Sequence, residues 1–210
     1  MATRICFIRH GETAWNAENR IQGQTDIPLN EHGRSQAQMM AANAAQYAFS
    51  AICSSDLQRA VETAQCLAAG RGLNVHTTPL LRERHFGDFQ GLIGAEAAAR
   101  DPAAYARYKA RDLNDDFATG ESLQQLATRV QTAVAQLLAQ YPGQTIAVVC
   151  HAGVLDVLYR LATSRPLHTP RDFDLPNCAL NWFRFDAQGW HLEAWDDHHY
   201  LPSVQLESVE

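Results

Sequence analysis

The sequence predicts an α/β fold in which parallel strands deliver reactive side chains to one edge of a sheet. Two observations point there. Short apolar runs at residues 5–8, 49–54 and 145–150 have the length and composition of buried strands, and each leads into a helical stretch with its own start and stop signals. Just past those strand ends stand Arg9-His10, Arg59 and His151, where open α/β sheets gather their reactive groups. A chain of 210 residues reads as one domain that can bury a sizeable core.

The first strand stops at Arg9-His10, and Gly11 reads as the residue that lets the backbone turn tightly. Taken alone, that pair fits a surface turn as well as a site. Residues 13–26 form a long polar loop with one helical turn, and Trp15 and its scattered apolar residues mark it as ordered and functional. Asn30 is the expected N-cap of an Ala/Gln/Met-rich helix reaching about Tyr47. After the second strand, Ser54-Ser55-Asp56 is expected to cap a helix over 57–69, ended by Gly70 and Gly72, with Arg59 in its first turn. A helix start of this kind already favours anions.

A third strand is expected over 73–77, followed by a charged segment ending at Gly87. From about residue 88 to 120 the β-α rhythm breaks into short helical pieces (94–100 and 102–110) and an acidic turn at Asn114-Asp115-Asp116. This stretch reads either as an insertion lying over the site or as an ordinary long connection. Ser122 with Gln125 forms a capping box that opens a long amphipathic helix over 123–140. The strand at 145–150 ends at His151-Ala152-Gly153, and a helix over 154–162 follows. Residues 180–185 and 190–195 flank Asp186-Ala187-Gln188-Gly189 in a hairpin pattern, and the polar tail after Tyr200 is expected to be mobile.

Composition narrows the function. Net charge is −6, with no basic block, which argues against nucleic acid and anionic membrane as partners. Any anion site must then be a local pocket of arginines on an acidic background. The five cysteines are odd in number and lack C-x-x-C spacing, which points to a reducing compartment. No long apolar segment follows a charged start, so the reading is neither signal peptide nor membrane span, and the cytoplasm is the expected location.

Two arginines and two histidines converging at strand ends suit a phosphoryl group. The arginines neutralise its equatorial oxygens, one imidazole attacks phosphorus in line, and the other holds an oxygen. Glu83, just beyond the third strand, supplies a proton donor for the leaving alcohol. Positive charge built from side chains makes a metal or other cofactor unnecessary.

These residues also carry a family resemblance. Arg9-His10-Gly11-Glu12-Thr13 with Trp15-Asn16, Ser55-x-x-x-Arg59-x-x-x-Thr63-Ala64, Leu81-x-Glu83, Phe86-Gly87, Gly120-Glu121-Ser122 and Val149-x-His151-Ala152-Gly153 occur in order over about residues 3–185. The pattern resembles the histidine phosphatase superfamily, the phosphoglycerate-mutase-like proteins. The resemblance implies a three-layer α/β/α sandwich with a mostly parallel central sheet, and a lid-like insertion near 84–120 that helps choose the substrate. It implies that His10 is phosphorylated transiently, that Arg9, Arg59 and His151 form the phosphate pocket, and that Glu83 is the proton donor. Asn16, Gln22 and Gly23 stand where family members contact the phosphate, and Arg84 and Ala152 join them as substrate contacts.

Departures from the mutase pattern choose within the family. Phe86 replaces a tyrosine, Gly94 stands where a lysine would be, the paired arginines of the mutase insertion are missing, and His151-Ala152-Gly153 replaces H-G-N. The small-phosphatase W-E-G is altered too, to Phe89-Gln90-Gly91. A mutase must hold a doubly anionic substrate and keep water from its phosphoenzyme, so these losses favour hydrolysis. The expectation is a metal-independent phosphomonoester hydrolase of the histidine acid-type, acting on a small phosphorylated metabolite. Mutase-type transfer and a catalytically idle phospho-ligand-binding protein are the alternatives, and a homodimer is compatible with the chain. Sugar phosphates, phosphoglycerates, nucleotides and a cobamide-precursor phosphate all stay open as substrates.

Several residues carry rival readings. Glu83 could pair with Arg82 or Arg84, and Arg84 could be a solvated arginine. Cys150 beside His151 reads as an inert buried thiol. Asp196-Asp197-His198-His199 lacks ligand spacing for a metal. Trp182, Trp190 and Trp195 read as core or hairpin residues.

Overall fold

The computed structural model describes residues 2–202. Among them, β1 (Thr3–Arg9), β2 (Ala51–Ser55), β3 (Val75–Thr78), β4 (Thr145–Cys150), β5 (Leu180–Asp186) and β6 (Gly189–Asp197) form one sheet in the order β3-β2-β4-β1-β5-β6. The first four strands of that order run parallel, and β5 and β6 close the far side antiparallel. The parallel strands are near-continuous apolar runs because both faces of the sheet are covered. On β1, Ile5 and Phe7 face one core with Leu126 and Val130 of α6 (Leu123–Gln140) and Leu155 and Leu158 of α7 (Ala152–Thr163). Cys6 and Ile8 face the other, with Met40 of α2 (Glu31–Asn43) and Ala60 and Leu67 of α3 (Gln58–Ala68). The side-chain period of two thus builds the three layers.

The remaining helices are short: α1 (Ala14–Ala17), α4 (Gly94–Arg100) and α5 (Pro102–Lys109). Around the last two lies a separate apolar cluster in which Phe89, Ala97, Ala104 and Phe117 pack with Phe86, Tyr105 and Tyr108.

Most expected elements are found, some with shifted bounds and different causes. β2 and β3 start two residues later than expected, because Phe49 and Leu73 pack as core side chains before the ladder begins. α2 stops at Asn43 and a 3-10 turn carries the chain to Gln46. The cap of α3 is not the Ser54-Ser55-Asp56 run. Leu57 is the N-cap without a side-chain bond, Asp56 is held by Arg82, and the Asp26 carboxylate accepts from the Gln58 N–H at 2.7 Å from across the fold. Gly11 does not sit in the left-handed region; it is needed because a Cβ there would fall 2.4 Å from the Gly33 carbonyl oxygen. α7 starts two residues early, with His151 as its N-cap. All five cysteines are free, with Cys6, Cys53, Cys150 and Cys178 buried. The three tryptophans of the hairpin pattern lie on or in the apolar clusters, as expected. The expectation for the tail beyond residue 202 falls outside the described residues.

Candidate active site

The register of β1 against β4 sets the centre. Arg9 pairs with Cys150, so His10 and His151 follow one step beyond, and the His10 N–H continues the ladder to the Cys150 carbonyl at 3.0 Å. The two rings lie 5.1 Å apart, tilted by 57°. His10 Nδ1 is 2.7 Å from the Gly11 carbonyl oxygen, which only an N–H can satisfy, so Nδ1 carries the proton and Nε2 keeps its lone pair. Both histidines titrate well below the usual 6.5, first because they are fully buried and then because Arg59 and Arg9 crowd them with positive charge. They are neutral imidazoles at pH 7.

β2 delivers Arg59 through the first turn of α3. Its guanidinium donates to the Gly23 and Thr25 carbonyls at 2.7 and 2.9 Å, its Nε is buried without a partner among the described residues, and burial lowers its pKa to about 10. The loop after α1 is therefore wrapped around this arginine, and Gly23, at φ 55, leaves room for Gln90 where a Cβ would collide. Arg9 donates to the Leu175 carbonyl. In α1, Asn16 closes a capping box with Thr13, and the Thr13 hydroxyl donates to Gln22 Oε1 at 2.9 Å.

Glu83 arrives through the 3-10 turn after β3. Its carboxylate accepts from the Arg84 N–H at 2.7 Å, and the Gly153 N–H reaches its two oxygens at 3.1 and 3.0 Å. That donor belongs to the first turn of α7, where free N–H groups favour a carboxylate. A Cβ at Gly153 would come within 2.2 Å of Glu83 Oε1, which gives the glycine of His151-Ala152-Gly153 its reason. The rival ion pairs do not form: Arg82 is bidentate to Asp56, and Arg84 donates to the Glu121 and Asp115 carbonyls with its guanidinium 4.7 Å over the Phe117 ring.

A cavity of about 270 Å³ joins Arg9, His10, Asn16, Gln22, Gly23, Arg59, Glu83, Arg84 and Ala152. His151 is the exception among the expected residues. It is fully buried beside His10, is not among the residues lining the cavity, and has no hydrogen-bond partner for either ring nitrogen among the described residues. Residues not anticipated also line the space: Arg20, Tyr105, Tyr108, Lys109, Arg111, Asp156 and Arg171. Tyr105, Tyr108 and Lys109 share one face of α5 at i, i+3 and i+4, a spacing readable in the sequence. Arg111 is tied to Asp156 at 2.5 Å, which also holds Arg160. The segment lacking the mutase arginines thus still brings cations to the cavity. At the end of β6, His198 and His199 pair with Asp196 and Asp197, and no cluster of metal-ligating side chains occurs among the described residues.

Comparison with known proteins adds to this geometry. The model of the family "Histidine phosphatase superfamily (branch 1)" matches residues 5–198. Phosphoglycerate mutase-like protein 4 of Arabidopsis thaliana is 41% identical over 94% of this chain and 86% of its own length. The metal-independent phosphoserine phosphatase of the same plant is 37% identical over 96% of this chain and 84% of its own. Among solved structures, the phosphoserine phosphatase of Entamoeba histolytica in complex with 3-phosphoglyceric acid superposes with a TM-score of 0.84 at 28% identity, covering 95% of this chain and 99% of that one. No helix among the described residues is long and apolar enough to cross a membrane.

Proposed function

This chain belongs to the histidine phosphatase superfamily, and we propose that it is a metal-independent phosphomonoester hydrolase whose phosphoryl group passes through His10. The observation that carries the reading is the neutral His10 ring, with Nδ1 tied to Gly11 and Nε2 left unprotonated, set against two buried arginines in a cavity. In the first step Nε2 attacks phosphorus, the P–O ester bond breaks, and the leaving oxygen takes a proton from the Glu83 carboxyl. In the second, the Glu83 carboxylate takes a proton from water, the hydroxide so formed attacks phosphorus, and the N–P bond breaks. Arg9 and Arg59 supply the charge that a metal would otherwise give, and His151, its ring 5.1 Å from that of His10 and unpartnered among the described residues, is in reserve for an oxygen of the phosphoryl group once that group is on His10. In class this is a histidine acid-type phosphatase.

The substrate we infer is a small phosphomonoester with a second anionic group, of the kind phosphoserine represents. Lys109, without an ion-pair partner among the described residues, and Arg84 extend the positive lining beyond the phosphate end. The names of the Arabidopsis and Entamoeba relatives agree with that choice. In the same reading the segment 84–120 is a lid-like insertion of a single domain, Asn16, Gln22, Gly23 and Ala152 contact the phosphate, and the free buried thiols suit a cytoplasmic enzyme. Mutase activity is the second reading, favoured by the cations that α5 and Arg111 bring to the cavity.

The test is phosphate release, in chelator, from a panel holding phosphoserine, 3-phosphoglycerate, sugar phosphates and nucleotides, with 2-phosphoglycerate assayed in parallel. Hydrolysis with phosphoserine among the best substrates is the expected result. Isomerisation with little free phosphate would make the mutase reading right, and strict dependence on an added divalent ion would sink the metal-free mechanism.

A further inference from the structure

Between α7 and β5 the chain runs from Ser164 to Ala179 without helix or strand, yet it touches the nucleophile's strand end at three points. The Leu175 carbonyl accepts from the Arg9 guanidinium, the Cys178 N–H donates to the Arg9 carbonyl at 2.9 Å, and Asn177 Nδ2 donates to the His10 carbonyl at 2.7 Å. β5 pairs with β1 only as far as Ile8, so this strap takes over where the antiparallel ladder ends. Asn177 is buried, 4% exposed, and its side chain is the strap's contact with His10 itself.

The peptide unit that joins His10 to Gly11 is held from both sides. Asn177 donates to its carbonyl oxygen, and on the opposite edge its N–H donates to the Thr63 hydroxyl of α3 at 3.0 Å. The plane of that peptide matters for the imidazole. The ring's Nδ1 is bonded to the next carbonyl along, that of Gly11, so a rotation of the His10-Gly11 peptide carries the ring's anchor with it. Gly11 has no side chain to resist such a rotation.

Resting on the proposed function, we infer that Asn177 is a positioning residue for the nucleophile: it fixes the peptide plane from which His10 Nε2 is aimed at phosphorus. A ring turned off line slows attack for every ester alike, on the order of 10²-fold for a displacement near one ångström. It leaves substrate binding, which other groups provide, little changed. A defect at the acid side would instead grow with the basicity of the leaving group.

The experiment compares wild type with Asn177→Asp, which keeps the shape and loses the donor, and with Asn177→Ala, on nitrophenyl phosphate and phosphoserine. Expected is a kcat loss of the same factor on both esters, about tenfold or more, with KM within about twofold. Unchanged kcat, or a loss confined to KM or to the poorer leaving group, would overturn the inference. Imidazole proton NMR of the apo enzyme gives a reading that does not require turnover. The hydrogen-bonded Nδ1 proton of His10 should be sharp in wild type and broadened by exchange in both variants; equal line widths would overturn the inference. A wild type silent on every ester would strike the proposed function and leave this second reading intact. If Asn177→Asp does not fold, the Ala variant decides by the same criteria.

Discussion

Around His10 the side chains are fixed largely by main-chain partners, whereas the segment above them is fixed by packed rings. Arg59 rests on two loop carbonyls, Arg9 on the Leu175 carbonyl, His10 on Gly11, and Glu83 on two backbone N–H groups. Above, Phe86, Phe89, Tyr105, Tyr108 and Phe117 meet edge to face or tilted with centroids 5.5–6.3 Å apart, and Arg84 lies over two of these rings. The first arrangement orients charge through the main chain, because a carbonyl holds a guanidinium in place without carrying a full charge of its own. The second tolerates changes of side chain while keeping a surface. The difference teaches where chemistry and selectivity reside. One depends on backbone geometry, and the other on which residues project from α5.

The sharpest way to break that division is Glu83→Gln. The amide fits the same N–H donors poorly and carries no transferable proton. Turnover of phosphoserine should fall by roughly 10²–10⁴, and that of nitrophenyl phosphate much less. Steady-state kinetics on both esters checks it, and equal losses would give Glu83 a binding role.

A smaller effect should appear in stability. His10 and His151 titrate below 6.5 when folded and at the ordinary value when unfolded, so between those values the unfolded chain binds more protons. Their contribution is complete above pH 6.5 and is lost as pH falls below it, by about 1.4 kcal/mol per pH unit for each histidine, until the folded pKa values are reached. Thermal unfolding from about pH 7.5 to about pH 5 should show the midpoint dropping below 6.5. A flat profile would mean the rings are not held neutral by burial. The aromatic cluster above predicts no such slope.

The smallest effect is expected at the edge of the cavity. Lys109→Ala removes an exposed cation, so KM for phosphoserine should rise by up to about tenfold, with kcat and the nitrophenyl ester nearly unchanged. A fall in kcat on both esters would move Lys109 from selectivity to chemistry.

How much of this was legible in the sequence follows the same division. Strand ends announce themselves, because an apolar run that stops at Arg9-His10 or at His151 combines a period with an abrupt change of chemistry. The capping box at Ser122 and Gln125 was local and therefore readable. The Asp26 cap on α3, the fit of Gly11 against Gly33 and the strap at 175–178 are contacts between residues far apart in the chain, which no window of sequence contains. The strand ends announced that His151 would stand near His10, but its complete burial depends on packing from distant parts of the chain.

The most direct measurement of the central claim is to quench the enzyme during turnover of phosphoserine and locate the phosphate it carries. The account predicts an acid-labile, base-stable phosphoramidate on Nε2 of His10, absent from His10→Ala, which should also lose turnover by at least about 10³-fold. Phosphate on another residue, or turnover that survives in His10→Ala, would contradict it.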